Sequence, residues 1–249
     1  MKKIIYDFGA NTGGSIPYYL KKADVVVAVE ANPQLCAIME DKFALELNSG
    51  KLYIENCVLT ASSEGNVCFY SHKQLHFASQ FPRPTDAYIG SFHQIMLPSL
   101  SPAKIIDKYG EPFYIKIDIE HYDQAILGSL FMNKIYPQFI SAESHNIDIF
   151  AMLVACAHYN AFKLVDGRSV CEKYKDLSFI SNDGDMESYS FPYHSAGPFG
   201  DDVSGNWMPA NEFFLLLASE GLGWKDIHAT NIAQTRIDSC VAEPVIAHL

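Results

Sequence analysis

Lys3-Ile-Ile-Tyr-Asp-Phe-Gly-Ala-Asn-Thr-Gly13, followed by Val25-Val-Val-Ala-Val-Glu30-Ala-Asn-Pro33, is the stretch that decides the fold of this chain. Ile4, Ile5 and Tyr6 form a short apolar run that ends in Asp7 and then in glycine, the pattern of a buried parallel strand reaching its carboxyl end. Gly9, Gly13 and Gly14 permit a tight turn and let a ligand approach the backbone. A helix follows from Ser15 or Ile16, with Pro17 tolerated in its first turn. A second buried run, Asp24 to Val29, delivers Glu30 to its end.

Strand, glycine turn, helix, strand and acid together make a nucleoside-binding βαβ unit. The acid accepts hydrogen bonds from ribose hydroxyls and the turn holds what extends beyond them. A dinucleotide site reads G-x-G-x-x-G, its middle glycine clearing room for a pyrophosphate. Here Asn11 stands at that middle position and Glu30 comes seventeen residues after Gly13. Asp7 before the turn suits an ammonium group better than phosphates, so S-adenosylmethionine fits and a pyrophosphate fits poorly. Two rivals stay open: an NAD(P)-dependent oxidoreductase, and a protein that binds S-adenosylmethionine without turning it over.

The 249 residues suffice for one well-buried α/β domain. Hydrophobic residues are 49% and charged ones 19%, a globular balance, and the formal net charge is −11. No block of Lys or Arg offers a phosphate-tracking surface, so no nucleic-acid partner is expected. The apolar run after Lys2 and Lys3 breaks at Asp7, too early for a signal peptide, and no run reaches membrane-spanning length. The six cysteines are scattered without a C-x-x-C pair and read as free thiols in a reducing cytoplasm.

Along the chain, Pro33 to Asn48 has helical spacing, with Asn32 placed to cap it. Leu52 to Ile54 is a third strand, and Asn56 to Leu59 follow it. Gly65 to Tyr70 is an added strand. Ser71 to Pro102 shows no clear period and reads as a flap bordering the ligand. Pro102 to Tyr109 is a helix leading to a fourth strand, Phe113 to Ile117, with Asp118, Glu120 and Asp123 at its end. A helix from Tyr122 to Leu130 precedes a fifth strand, Gln138 to Ala142, which ends in Glu143 and His145. Ile147 to Tyr159 is helical and Phe162 to Val165 a sixth strand. From Cys171 to Pro209 the period disappears, giving a polar, turn-rich lid-like insertion. Ala210 to Ser219 is helical, Trp224 to His228 returns as a last strand, and residues 230–249 form a tail. This alternation specifies one domain over 1–249: a Rossmann-like, doubly wound, mostly parallel sheet with loop insertions as a lid.

Asp7-Phe-Gly-Ala-Asn-Thr-Gly13, Val29-Glu30-Ala-Asn-Pro33 and Tyr114-Ile-Lys-Ile-Asp-Ile-Glu120 resemble the FkbM family of S-adenosylmethionine-dependent methyltransferases. The likeness continues through Ala142-Glu143-Ser-His145, Tyr159-Asn-Ala-Phe-Lys-Leu-Val165 and Ser195-Ala-Gly-Pro-Phe-Gly200, covering roughly Lys3 to His228. It implies a class I methyltransferase fold and O-methylation of a hydroxyl on a sugar, glycoconjugate or secondary metabolite. It also implies the adenine edge near Asn56 to Leu59 and a contact from Ser79 to the methionine end. One position departs from the family: His121 follows Asp118-Ile-Glu120 where members usually carry glycine.

Ligands of open α/β sheets bind beyond the carboxyl ends of the strands, where the strand order reverses. Asp7, Glu30, Asp118, Glu120, Glu143 and His145 are all expected on that rim. The expected cofactor contacts are Asp7, Gly9, Asn11, Thr12, Gly13, Glu30, Asn32, Ser79 and Asp118. Asp7 reads equally as an anchor for the turn, and Asn11 and Thr12 equally as turn residues. A base that takes the hydroxyl proton adds about 10²–10⁴-fold; the candidates are His145, Glu143, Glu120 and Asp118. His145 oriented by Glu143 is the favoured pair, though His145 reads equally as a cap for the helix near Ile147. Asp118, Glu120, Asp123 and Glu143 also form an oxygen set for a divalent cation, but no metal is expected. His72, His76, His194, Phe199 and Trp207 are expected to line a small-molecule acceptor site under the lid.

Overall fold

The computed structural model describes residues 2–62 and 65–231. The chain opens with the alternation that the sequence predicts. β1 (Ile4–Phe8) and β2 (Val25–Glu30) are linked by helix α1 (Ile16–Lys22), and α2 (Pro33–Lys42) with α3 (Ala44–Asn48) leads to β3 (Leu52–Asn56). Beyond β4 (Val58–Leu59), β5 (Gly65–His72), β6 (Phe92–Leu100) and α4 (Pro102–Tyr109), β7 (Tyr114–Ile117) re-enters the sheet. Helix α5 (Asp123–Met132) then connects to β8 (Phe139–Glu143), and α6 (Asp148–Ala155) to β9 (Ala161–Asp166). After α7 (Val170–Lys173) come a hairpin of β10 (Leu177–Ile180) and β11 (Met186–Tyr189), helix α8 (Ala210–Glu220) and β12 (Lys225–Thr230).

The main sheet has seven strands in the order β3-β2-β1-β7-β8-β12-β9. All are parallel except β12, which runs antiparallel to both β8 and β9. The order reverses between β1 and β7, as the Rossmann-like class I fold requires. Strand side chains alternate between faces, and each face has its own core. Tyr6, Phe8, Val27, Ile115 and Ile140 pack under helices α4, α5, α6 and α8. Ile5, Val26, Tyr114 and Phe139 pack on the other face, against α1, α2 and the 177–203 region.

Several expectations need correction. The helix over 33–48 is broken at Phe43, whose φ of −116° and ψ of 31° leave the helical region. The 71–102 flap holds a nine-residue strand, β6, paired antiparallel with β5 from Gly65↔Ser99 to His72↔Phe92. β4 joins these two in a small second sheet. The insertion at 171–209 likewise carries the β10–β11 hairpin, which presses Phe179 against Tyr18 of α1. The described cysteines Cys36, Cys57, Cys68, Cys156 and Cys171 are free. Cys240 and tail residues 232–249 lie outside the described residues. Among the described residues no helix is long and apolar enough to cross a membrane.

Candidate functional site

The site forms where β1 stops. Gly9 and Ala10 both donate their amides to Val29 O of β2, at 2.9 and 3.1 Å, which bends the chain away from the sheet. Gly9 has φ +84° and Asn11 φ +52°, backbone that the Gly-rich turn accepts and that asparagine tolerates. The turn leaves a crevice of about 490 Å³ over the strand ends. At one end Glu30 is buried and fixed: Oε2 accepts from Asn11 N at 2.9 Å and Oε1 from Asn32 N at 2.8 Å. Burial pushes its carboxyl up to about 7 despite these two donors. Leu35, Val58, Leu59 and Phe69 give the adjoining wall an apolar surface.

Deeper in, strand register decides the electrostatics. Asp7 of β1 lies directly opposite Lys116 of β7, on the same face of the sheet. Lys116 Nζ sits 3.2 Å from Asp7 Oδ1 and 3.3 Å from Asp118 Oδ2, and it donates to Gly9 O at 2.8 Å. Asp7 and Lys116 are both almost fully buried. Desolvation would lower the lysine, but Asp118, Asp7 and Asp226 outweigh it and hold Lys116 above the ordinary lysine range. Burial raises Asp7, with Lys116 opposing. Asp7 therefore already has an ammonium partner inside the protein, and that same cation ties the turn to the fourth parallel strand.

The acids beyond β7 and β8 crowd one another. Glu120 is pushed up to about 8 by burial and by Asp118 and Glu143. Asp123 reaches about 7 through burial and Asp118, while its Oδ1 accepts from Ile119 N at 3.2 Å. Glu143 is raised by burial, and Asp226, paired with it across β8 and β12, is raised well above the usual carboxylate range. His145 Nε2 lies 2.8 Å from Glu143 Oε2, and this contact lifts the imidazole to about 9. His121 goes the other way, lowered by burial and by His145, whose ring centroid is 4.8 Å distant. Among the described residues no three His, Cys, Asp or Glu side chains are grouped to hold a metal ion.

The raised carboxyls and His145 share one sign and give a pH dependence. Glu30, Asp123 and Glu120 hold protons to about 7, 7 and 8 in the folded chain but release them near pH 4 when unfolded. His145 keeps its proton to about 9 instead of 6.5. The folded state thus binds more protons than the unfolded one between about pH 6.5 and 8.5, so stability falls as pH rises through that window. His228, buried and lowered to about 3, acts below pH 6.5 and in the opposite sense. The expected loss from about pH 6.5 to 8.5 is about 4–6 kcal/mol, at about 1.4 kcal/mol per proton per pH unit. Urea unfolding at both pH values measures it, and equal stabilities would mean that these acids and His145 do not hold extra protons in the folded chain.

Aromatic rings roof the crevice. Phe77 of the flap stacks on His194 of the insertion at 4.8 Å, and His194 stacks on Trp224 at 5.2 Å. Within the 171–209 insertion, residues 192–196 line the crevice.

The structure gathers most of the expected residues. Asp7, Gly9, Asn11, Thr12, Glu30, Ser79, Asp118, Glu120, Glu143 and His145 all line the crevice, as do His76 and His194. Gly13 and Asn32 are not among its lining residues. Gly13 faces Phe43, Ile16 and Met39, and Asn32 Oδ1 caps α2 by accepting from Gln34 N at 3.0 Å. Asn56 supports from behind, donating to Glu30 O and Ala31 O. Phe199 and Trp207 also leave the expected acceptor wall. Phe199 is stacked on Tyr114 at 4.2 Å in the sheet core, and Trp207 covers Phe139 and donates to Asp201. His72 lines a separate cavity, with its Nδ1 accepting from Gln74 N and Leu75 N. Sequence reasoning missed Lys116, Asp226 and Trp224. A lysine inside the otherwise apolar β7 was the available signal for the first; Asp226 lies in the mixed polar β12 and carried no such signal.

No family model and no curated protein matches the sequence. Solved structures do resemble it distantly. A methyltransferase FkbM from Methylobacillus flagellatus KT aligns with TM-score 0.42 and 15% identity, over 66% of this chain and 39% of its own length. The match therefore spans well under half of that protein. A precorrin-6y C5,15-methyltransferase from Geobacter metallireducens GS-15 aligns with TM-score 0.38 and 11% identity, over 92% of this chain and 79% of its own. The C-terminal domain of the Rhodobacter capsulatus precorrin-6Y C5,15-methyltransferase aligns with TM-score 0.40 and 11% identity, over 92% and 79%. Likenesses at this distance carry no argument about chemistry; the fold class rests on the strand order and the site on its own geometry.

Proposed function

We propose that this chain is an S-adenosylmethionine-dependent methyltransferase of the FkbM type. Its acceptor is a hydroxyl of a small molecule, of the sugar, glycoconjugate or secondary-metabolite kind. The observation that carries the reading is Glu30, a buried carboxylate held by two backbone amides at the end of β2 and facing the crevice. A carboxylate offers about four acceptor positions, so two remain for a ribose diol. Asn11 Oδ1 supports the fit: it is buried beside Glu30 and finds no hydrogen-bond donor among the described residues. A hydroxyl or ammonium of the cofactor would satisfy it.

When bound, S-adenosylmethionine would supply a sulfonium methyl that passes to the acceptor oxygen, the O–C bond forming as the C–S bond breaks and its electron pair stays on sulfur. The protein's share is placement and proton handling. Holding an acceptor in line and excluding water is worth about 7–11 kcal/mol. The Phe77–His194–Trp224 roof suits that exclusion. For the proton we assign Glu120, which lines the crevice and a neighbouring cavity. His145 reaches neutral pH already protonated by its pairing with Glu143, so it serves as a fixed positive charge that keeps Glu143 in place. Glu120, at about 8 in the free protein, loses its proton more readily beside a cation.

The test is calorimetric titration with S-adenosylmethionine and NADH in parallel. S-adenosylmethionine is expected to bind, NADH not, and Glu30→Ala to weaken binding about 10–150-fold, matching about 1.5–3 kcal/mol for charge-assisted hydrogen bonds. Binding of NADH alone, or an unchanged Glu30→Ala affinity with the fold intact by circular dichroism, would overturn the reading.

A further inference from the structure

A second cavity of about 410 Å³ opens beside the crevice. The two share Ala78 and Glu120 in their walls, so Glu120 faces both spaces. The far walls come from Gln80, Thr85, Tyr88 and Ser91 of the flap between β5 and β6, and from Phe92 at the start of β6. His121 closes the near side. Glu120 and His121 are consecutive non-glycine residues with φ of +51° and +68°, a conformation that costs about 1–3 kcal/mol per residue and clusters at functional sites. That backbone places the His121 imidazole in the wall of the cavity.

The lining is polar but carries little charge. His72 accepts on Nδ1 from two backbone amides, so that nitrogen is already engaged within the flap. His121 is lowered from its ordinary value, so it is neutral at pH 7. Glu120 is held largely protonated there. While Glu120 keeps its proton, an ion entering this space meets few opposite charges in its walls, whereas neutral polar groups are plentiful. The hydroxyls of Thr85 and Ser91, the amide of Gln80 and the ring faces of Tyr88 and Phe92 suit an uncharged ring that hydrogen-bonds at its edge and stacks on its face.

We propose that this cavity is the acceptor's subsite: it holds the body of an uncharged, hydroxylated ring compound, directs one hydroxyl past Glu120 into the crevice, and uses His121 as the wall that sets acceptor size. The assignment rests on the methyl-transfer reading of the crevice. Its test keeps the two apart by using binding alone. Saturation-transfer NMR with phenyl β-D-glucoside as the neutral probe is compared with glucosamine and glucuronate as cationic and anionic probes. The neutral probe is expected to give the strongest transfer, reduced at least fivefold in Ser91→Trp, which fills the cavity, and also in His121→Gly, which removes a wall. S-adenosylmethionine affinity is expected to stay within twofold in both variants. Thr85→Trp replaces Ser91→Trp if that variant does not fold. No transfer to the neutral probe, a stronger signal from either charged probe, or transfer indifferent to the filling substitution overturns the subsite. If S-adenosylmethionine fails to bind the wild type while the glucoside signal is lost on filling, the crevice reading falls and the cavity remains a neutral-ring site.

Discussion

Lys116→Met is expected to destabilise the protein by about 3–5 kcal/mol, the usual cost of leaving a buried charge without its partner. The ammonium serves three groups at once: Asp7, Asp118 and the Gly9 carbonyl. Asp118 is one-third exposed (32%) and can turn to water, but Asp7 is 2% exposed and cannot. In the variant Asp7 must keep a proton, so its folded value rises further above that of the unfolded chain. The folded variant then binds a proton that the unfolded one lacks, and the deficit against wild type grows as pH rises from about 5 to 8. Adding Asp7→Asn removes the stranded charge while keeping the shape, and is expected to recover about 1–3 kcal/mol. Urea unfolding of the three proteins at pH 5 and pH 8 measures both effects. A single-variant loss under about 1 kcal/mol, or a double variant no better than the single, would show that the ion pair is not what holds turn to sheet.

Lys116 also marks where the sequence stops being informative. β1 and β2 were legible because Ile4 to Tyr6 and Val25 to Val29 are apolar on both faces, as only a strand covered on both sides can be. Their ends placed Asp7 and Glu30 on the rim without any knowledge of the partners. What pairs with Asp7 depends on register between strands roughly a hundred residues apart, and nothing local states it. The break at Phe43 was invisible because Leu35, Met39, Phe43 and Leu47 keep helical spacing through it. β6 was hidden for the opposite reason: His93, Gln94 and Pro98 disturb its alternation, and its faces are unevenly buried. Phe199 and Trp207 looked like lid residues because they sit among glycines and acids. Long-range packing took Phe199 into the core on Tyr114 and laid Trp207 over Phe139 at its edge instead. The departure at His121 was readable as a difference, but only the backbone angle gives its physical meaning.

The Gly9 turn yields the second large effect, and another glycine supplies its control. A Cβ at Gly9 would lie 1.8 Å from the backbone oxygen of Asp118, a contact no side-chain movement relieves. Gly65 has the same φ, +84°, but its Cβ would meet nothing within 4 Å among the described residues. Alanine at either position pays the left-handed backbone cost of about 1–2 kcal/mol. The difference between Gly9→Ala and Gly65→Ala therefore isolates the steric term. That term is expected to be at least about 1–3 kcal/mol, the range for forced overpacking, giving about 2–5 kcal/mol for Gly9→Ala in all. The cost reaches function because the strand end cannot shift alone. Asp118 N donates to Phe8 O at 3.0 Å, and the next residues carry Glu120 and His121. Pushing Asp118 away from Gly9 moves the shared wall of both cavities. Gly9→Ala is thus expected to lose S-adenosylmethionine affinity as well as stability, whereas Gly65→Ala loses only stability. Equal unfolding free energies for the two variants would mean that the close approach of β1 and β7 is not a constraint on this turn.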